Sequence, residues 1–214
     1  MSKQLALHLE LLDEAQKKIF SSLFQIAPHR YLVGGTALSL QMGHRYSYDF
    51  DIFSTLQNTP RLFHRVSKLF PIGTLFIRNE DEYTFLTKTG VKMTFFCYPY
   101  DMTPYAIRMR PITLLSIGGV AIAKAFAIGQ RNRWRDYLDL YAILSRTDVT
   151  LPWMITHAKK TYGNEFSEKL FFGQLLYTKD IRPEDKKATQ LVDENITISK
   201  LHAFFKKQIK EYIG

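Results

Sequence analysis

Two aspartates separated by one residue are candidate ligands for a metal ion in this sequence. Asp49 and Asp51 lie in the otherwise apolar run Tyr48–Phe53, which predicts a β-strand. Residues i and i+2 of a strand share one face, so both carboxylates could hold one hard cation such as Mg²⁺. Two like charges on a half-buried strand are unfavourable unless a cation compensates them. The alternative is an edge strand whose aspartates face water and pair with Arg45 or a lysine.

A glycine pair precedes these aspartates. The sequence predicts a short buried strand at Tyr31–Val33, which runs into Gly34-Gly35 and then into a helix capped by Thr36 and ending near Met42. Glycine lets a backbone approach a ligand closely, and the free N–H groups of a helix start attract phosphate. The Thr36 hydroxyl is expected to cap the helix, to bind a phosphate, or both. Together with the aspartates, this pattern favours a site for metal and phosphate.

The elements around these residues predict an α+β fold. Three β-rich runs, Thr74–Arg78, Tyr83–Thr89 and Val91–Tyr98, indicate an antiparallel meander, and a proline-containing linker follows. Apolar residues at helical spacing dominate the rest of the chain. We therefore expect a small mixed sheet with flanking helices over residues 1–110, and a helical domain over residues 111–214.

Composition narrows the class of partner. The 214 residues are 46% hydrophobic and 23% charged, which is ordinary for a globular protein and excludes disordered and collagen-like classes. The formal net charge of +9 favours an anionic partner such as RNA, although a merely basic surface is the alternative. The single Cys97 excludes an internal disulfide and a multi-cysteine zinc site. No signal peptide or membrane-spanning run is expected, so we predict a cytoplasmic protein without membrane association.

The ordered blocks resemble a known superfamily. Gly35-Thr36, twelve intervening residues and Asp49-x-Asp51 resemble the signature of DNA polymerase β-like nucleotidyltransferases. The longer string LVGGTALSLQMGHRYSYDFDIF more narrowly resembles the AbiEii/AbiGii toxin family, and the match continues at Gly90–Tyr100, Lys124 and Arg131–Leu144. The resemblance covers about residues 30–145, and the tail from about residue 150 matches no motif.

The resemblance implies a reaction and its residues. A nucleoside monophosphate would pass from a nucleoside triphosphate to an acceptor, with Mg²⁺ or Mn²⁺ held by Asp49 and Asp51 and with pyrophosphate leaving. The helical half would complete the active site. The implied catalytic residues are Asp49, Asp51, Lys124 and Asp136, and the implied nucleotide-binding residues are Gly34, Gly35, Thr36, Arg45, Ser47, Arg131 and Arg135.

The sequence departs from the superfamily at one position. Most active members have a third carboxylate on a later strand, and Thr94 occupies the corresponding place. Threonine binds Mg²⁺ weakly and cannot act as a general base. Asp136 could substitute, or an acid of the turn Glu80–Glu82, although we expect that turn to be solvated. Without the resemblance, Lys124 is equally consistent with a lysine that reaches out to solvent and with one that binds an anion. Asp136 could likewise form only a surface ion pair.

Several functions remain open at this point. The first is a toxin of a toxin–antitoxin or phage-defence system that modifies RNA, with a tRNA end as acceptor and a cognate antitoxin as partner. The second is a degenerate nucleotidyltransferase fold that binds nucleotide or RNA without catalysis. The third is a nucleotidyltransferase that modifies small molecules, although such an enzyme would need a more acidic acceptor cleft than this basic chain suggests.

Overall fold

The computed structural model describes residues 6–27, 29–178, 181, 189–192 and 196–214. The chain divides into two compact units, Met1–Ser116 and Ile117–Gly214. The first unit carries a mixed sheet with flanking helices and the second is helical, which confirms the predicted α+β class. No helix in the described part of the chain is long and apolar enough to cross a bilayer.

The first unit is organised by a seven-stranded sheet, whose strands are β1 Tyr31–Val33, β2 Phe50–Ser54, β3 Ile72–Arg78, β4 Glu82–Thr87, β5 Lys92–Cys97, β6 Ala106–Ile107 and β7 Thr113–Leu115. They lie in the order β3-β4-β5-β2-β1-β7-β6. Its α-helices are α1 Glu14–Ser22, α2 Gly34–Met42 and α3 Pro60–Leu69.

The centre of the sheet supports the candidate residues. All three residues of β1 are buried, and β1 pairs antiparallel with β2 and parallel with β7. In turn, β2 pairs parallel with β5, while β3, β4 and β5 form the predicted antiparallel meander. Because β1 leads directly into α2, the sheet fixes the start of that helix beside β2.

The second unit contains α4 Ile117–Ile128, α5 Trp134–Arg146, α6 Leu151–Tyr162, α7 Glu168–Leu176 and α8 Ile198–Ile213. The starts of α6, α7 and α8 are fixed by hydroxyl caps from Thr150, Ser167 and Thr197, each of which accepts a backbone N–H bond. The border between the units follows Ser116, because β7, within the range predicted as helical, pairs with β1.

Candidate active site

Gly34 allows the Asp51 carboxylate to lie against the start of α2. The register pairs Val33 of β1 with Asp51 of β2. Gly34 has a φ of +68°, and a Cβ atom added there would lie 2.8 Å from Asp51 Oδ2. Any other residue would therefore meet both backbone strain and a carboxylate oxygen. The glycine is the feature that brings this acidic side chain to a helix N-terminus.

Gly35 makes a similar close approach to a buried cation. A Cβ atom at Gly35 would overlap Arg45 Nη2 and lie 2.9 Å from Ser47 Oγ. Arg45 is 1% exposed, and its Nη1 donates to the Tyr46 carbonyl at 2.9 Å. Because a guanidinium keeps its charge in proteins, Arg45 places a fixed positive charge behind the glycine pair.

Thr36 ties the helix to the segment that carries the aspartates. It is the third residue of α2, whose N-cap is Val33, so the prediction that Thr36 caps the helix is wrong. Its hydroxyl lies 3.0 Å from Ser47 Oγ and donates to the Asp49 carbonyl. Its direct role at a phosphate stays a prediction.

A residue that the sequence analysis missed supports the same segment. Gln16 of α1 is 2% exposed and donates from Nε2 to the Ser47 carbonyl at 2.8 Å. Gln16 also forms a capping box with Asp13, which is the sequence signal that could have drawn attention to it. We call the residues that meet here the glycine–aspartate cluster, which Asp49 joins through its backbone carbonyl and Asp51 through its carboxylate: Gly34, Gly35, Thr36, Arg45, Ser47, Asp49 and Asp51.

The donor set of this cluster suits Mg²⁺ or Mn²⁺. Asp51 lies in β2, which begins at Phe50, so the prediction that one strand carries both aspartates is wrong: Asp49 immediately precedes the strand. Both aspartates are half-buried. Mg²⁺ is commonly bound by one or two carboxylates, with water and substrate phosphates as its other ligands. Among the residues that the structure describes, no three His, Cys, Asp or Glu side chains group in a way that could hold a metal. The two aspartates would therefore be the charged protein ligands of a cation here, and its other ligands would be neutral protein oxygens, water or substrate phosphates.

Thr94 lies beside Asp51 on the sheet. The parallel register of β2 and β5 pairs these two residues, and the antiparallel register of β5 and β4 pairs Thr94 with Thr84. The Thr84 hydroxyl lies 3.3 Å from the Thr94 hydroxyl and donates to Glu82 Oε1 at 2.5 Å. Glu82 is thus a half-buried strand residue, and its expected place in a solvated turn is wrong, whereas Glu80 is exposed as expected.

The second unit gathers a separate set of charges, which we call the lysine–aspartate cluster: Lys124, Arg131, Asp136 and Asp139. Lys124 Nζ lies 2.5 Å from Asp136 Oδ1 and 2.7 Å from Asp139 Oδ2, and Arg131 Nε lies 3.0 Å from Asp136 Oδ2. Asp136 is 1% exposed, so it does not form the surface ion pair considered above, and Asp139 is fully buried. Asp139 was not among the predicted site residues.

The charges of this cluster control the protonation of Asp136. Burial by itself would raise the pKa of the Asp136 carboxyl, but the neighbouring charges of Lys124 and Arg131 outweigh it and hold the pKa below its ordinary value. The carboxylate therefore stays ionised and fixes the Lys124 amine. Arg135 is half-buried in the first turn of α5, and its role at a nucleotide stays a prediction.

The two units thus contain two groups of predicted site residues. The first unit brings together all seven members of the glycine–aspartate cluster. The second unit joins Lys124, Arg131 and Asp136 through ion pairs and adds Asp139.

Comparison with known proteins shows the family of this chain. The chain is 31% identical over 207 residues to the uncharacterized protein aq_aa25 of Aquifex aeolicus (strain VF5), covering 94% of this chain and 95% of that protein. The chain belongs to the family of that protein. No protein-family model matches the chain, so the narrower assignment to the AbiEii/AbiGii family stays a prediction.

Three solved structures share the architecture. The nucleotidyltransferase toxin MenT4 of Mycobacterium tuberculosis matches with a TM-score of 0.63 and 16% identity over 91% of this chain and 80% of its own. A Helicobacter pylori protein provisionally described as a nucleotidyltransferase matches with a TM-score of 0.57 and 18% identity, over 99% of this chain and 97% of its own. JHP933 of Helicobacter pylori matches with a TM-score of 0.52 and 17% identity, over 96% of this chain and 94% of its own. The chain therefore shares the fold of these three structures, of which MenT4 is described as a nucleotidyltransferase toxin.

Proposed function

We propose that this protein is a metal-dependent nucleotidyltransferase that moves a nucleoside monophosphate from a nucleoside triphosphate to an RNA acceptor. The observation that carries the proposal is the contact between Gly34 and Asp51. A positive-φ glycine leaves just enough room for a carboxylate at the N-terminus of α2. This arrangement allows a phosphate and a cation to be held at the same place.

Each charged group has a defined part in the proposed reaction. A divalent cation held by Asp49 and Asp51 would activate the attacking oxygen and neutralise charge on the phosphates. The N–H groups at the start of α2 bind phosphate oxygens, and the buried Arg45 adds positive charge behind them. The sequence resemblance assigns Lys124 to the triphosphate, and Asp136 would orient its amine through the ion pair at 2.5 Å. The same resemblance assigns Arg131 and Arg135 to the nucleotide.

The proposed acceptor is inferred from the net charge of the chain, and the proposed biological role from its similarity to toxins. A net charge of +9 favours an anionic acceptor, and a tRNA end is the first to test. The fold shared with the MenT4 toxin and the sequence resemblance to AbiEii/AbiGii toxins support a toxin role with a cognate antitoxin as partner.

The proposal is tested with each α-labelled nucleoside triphosphate, Mg²⁺ and a mixture of total RNA and protein. We expect label in an RNA band with the unsubstituted chain and none with Asp51→Ala. Label in a protein band would contradict the RNA acceptor. Label in RNA that persists undiminished in Asp51→Ala would contradict the site.

The alternative is a binding module without catalysis, and Thr94 is the observation that favours it. A threonine stands next to Asp51 where the superfamily has a third carboxylate. This alternative predicts saturable nucleotide binding without pyrophosphate release from any combination of triphosphate and acceptor.

A further inference from the structure

Four polar side chains lie on one face of the sheet, on the three neighbouring strands β2, β5 and β4. Asp51 of β2 pairs with Thr94 of β5, and Thr94 pairs with Thr84 of β4. Directly paired residues project from the same face of a sheet, and Glu82, two residues before Thr84 on the same strand, shares that face. Thr84 is 5% exposed, so its hydroxyl depends on protein partners.

The number of hydroxyl hydrogens determines which of these groups donates a hydrogen bond and which accepts one. Thr84 has one hydroxyl hydrogen, and its 2.5 Å bond to the Glu82 carboxylate uses that hydrogen. The 3.3 Å contact between the two threonine hydroxyls can then be a hydrogen bond only with Thr94 as its donor, because Thr84 has no second hydrogen to give. The Thr94 oxygen consequently keeps its lone pairs for another group on the side of the strand where Asp51 lies.

Resting on the proposed function, we propose that Glu82 is a positioning residue of the metal site and acts through Thr84 on Thr94. The hydrogen bonds direct the Thr94 hydroxyl hydrogen toward Thr84 and away from Asp51. The Thr94 oxygen is then available as an additional neutral ligand for a cation held by Asp49 and Asp51. A carboxylate at the end of such a series of hydrogen bonds polarises each hydroxyl in it. The Thr94 oxygen is therefore a stronger metal ligand than the oxygen of an isolated threonine. The negative charge that the superfamily places at the Thr94 position thus acts here from the neighbouring strand β4.

Binding of Mn²⁺ to the full chain, followed through the electron paramagnetic resonance signal of free Mn²⁺, tests the proposal without an enzyme assay. Glu82→Gln should weaken binding about tenfold, as the loss of an outer-shell partner of a metal ligand does. Thr84→Val should weaken it to a similar extent although it changes no charge. Glu80→Gln is the matched control, because it removes the same charge from an exposed position in the adjoining turn.

A double substitution separates the chain of hydrogen bonds from general electrostatics. Once Thr94→Val has removed the last hydroxyl, adding Glu82→Gln should cause less than a twofold further loss, because the two residues act as one unit. Equal losses in Glu82→Gln and Glu80→Gln, or unchanged binding in Thr84→Val, would overturn the proposal. Unaltered Mn²⁺ binding in Asp51→Asn, or none by the unsubstituted chain, would instead refute the metal site of the proposed function, and this proposal with it.

Discussion

Replacing Gly34 by alanine tests how closely the helix start and the carboxylate fit together. The new methyl carbon would lie 2.8 Å from Asp51 Oδ2, where an ordinary contact needs at least 3.4 Å, so the carboxylate must move by roughly half an ångström or more. A φ of +68° adds about 1–3 kcal/mol of strain for a residue with a Cβ atom. A displacement of about 1 Å at a reacting centre lowers a rate about 100-fold, so we expect nucleotide transfer to fall by 10- to 100-fold.

Gly43→Ala is a closely matched control for this substitution. Gly43 has a φ of +65°, and a Cβ atom there would lie 2.8 Å from Cε1 of the His8 ring, which is partly exposed and has room to move. Urea unfolding should show a similar loss of stability in both variants, whereas transfer should change less than twofold in Gly43→Ala. If Gly34→Ala retained full transfer, or if both variants lost it equally, the argument from the Asp51 contact would be wrong.

The other predictions concern the lysine–aspartate cluster and the acceptor. Lys124→Met should lower the free energy of unfolding by about 3–5 kcal/mol, because it leaves Asp136 and Asp139 buried without the amine, and a loss below about 1 kcal/mol in urea unfolding would contradict this. Because the folded pKa of Asp136 is below its ordinary 3.8, its stabilisation is present above pH 3.8 and is lost as the pH falls through the folded value. Stability of Asp136→Asn should therefore fall less steeply in that acid range, and an unchanged acid slope would refute the assignment. With an RNA acceptor, binding should weaken by about 0.7 log units per log unit of salt for each phosphate contacted, and salt-independent binding would contradict that acceptor.

The part of the site formed by residues close together in the sequence could be predicted. The sequence predicted β1 and the helix that follows it, although the helix begins at Gly34 and not after the glycine pair, and the structure places Asp51 against that helix start. The meander was also predictable, because each strand there is long enough to show its pattern and is bounded by turn residues.

Features that depend on distant contacts could not be predicted. The strands β6 and β7 have two and three residues, too few for an alternating pattern, and they lie in a segment punctuated by prolines. Asp139 lies off the apolar stripe of α5, yet α5 is buried on nearly every side, so its carboxylate meets Lys124 instead of water. Glu82 adjoins an exposed turn in sequence, and only the register of β4 with β5 brings it near Thr94.

The central claim is that Asp49 and Asp51 make the cluster in the first unit a cation-dependent transfer site. Pyrophosphate release is the most direct measurement, made with Mg²⁺, nucleoside triphosphates and RNA for Asp49→Asn, Asp51→Asn and the exposed control Asp148→Asn. We predict release that requires Mg²⁺, falls at least about 100-fold in each of the first two variants through loss of several kcal/mol of transition-state stabilisation, and is unchanged in the third. Release that continues at the parental rate in both Asp49→Asn and Asp51→Asn would contradict the account.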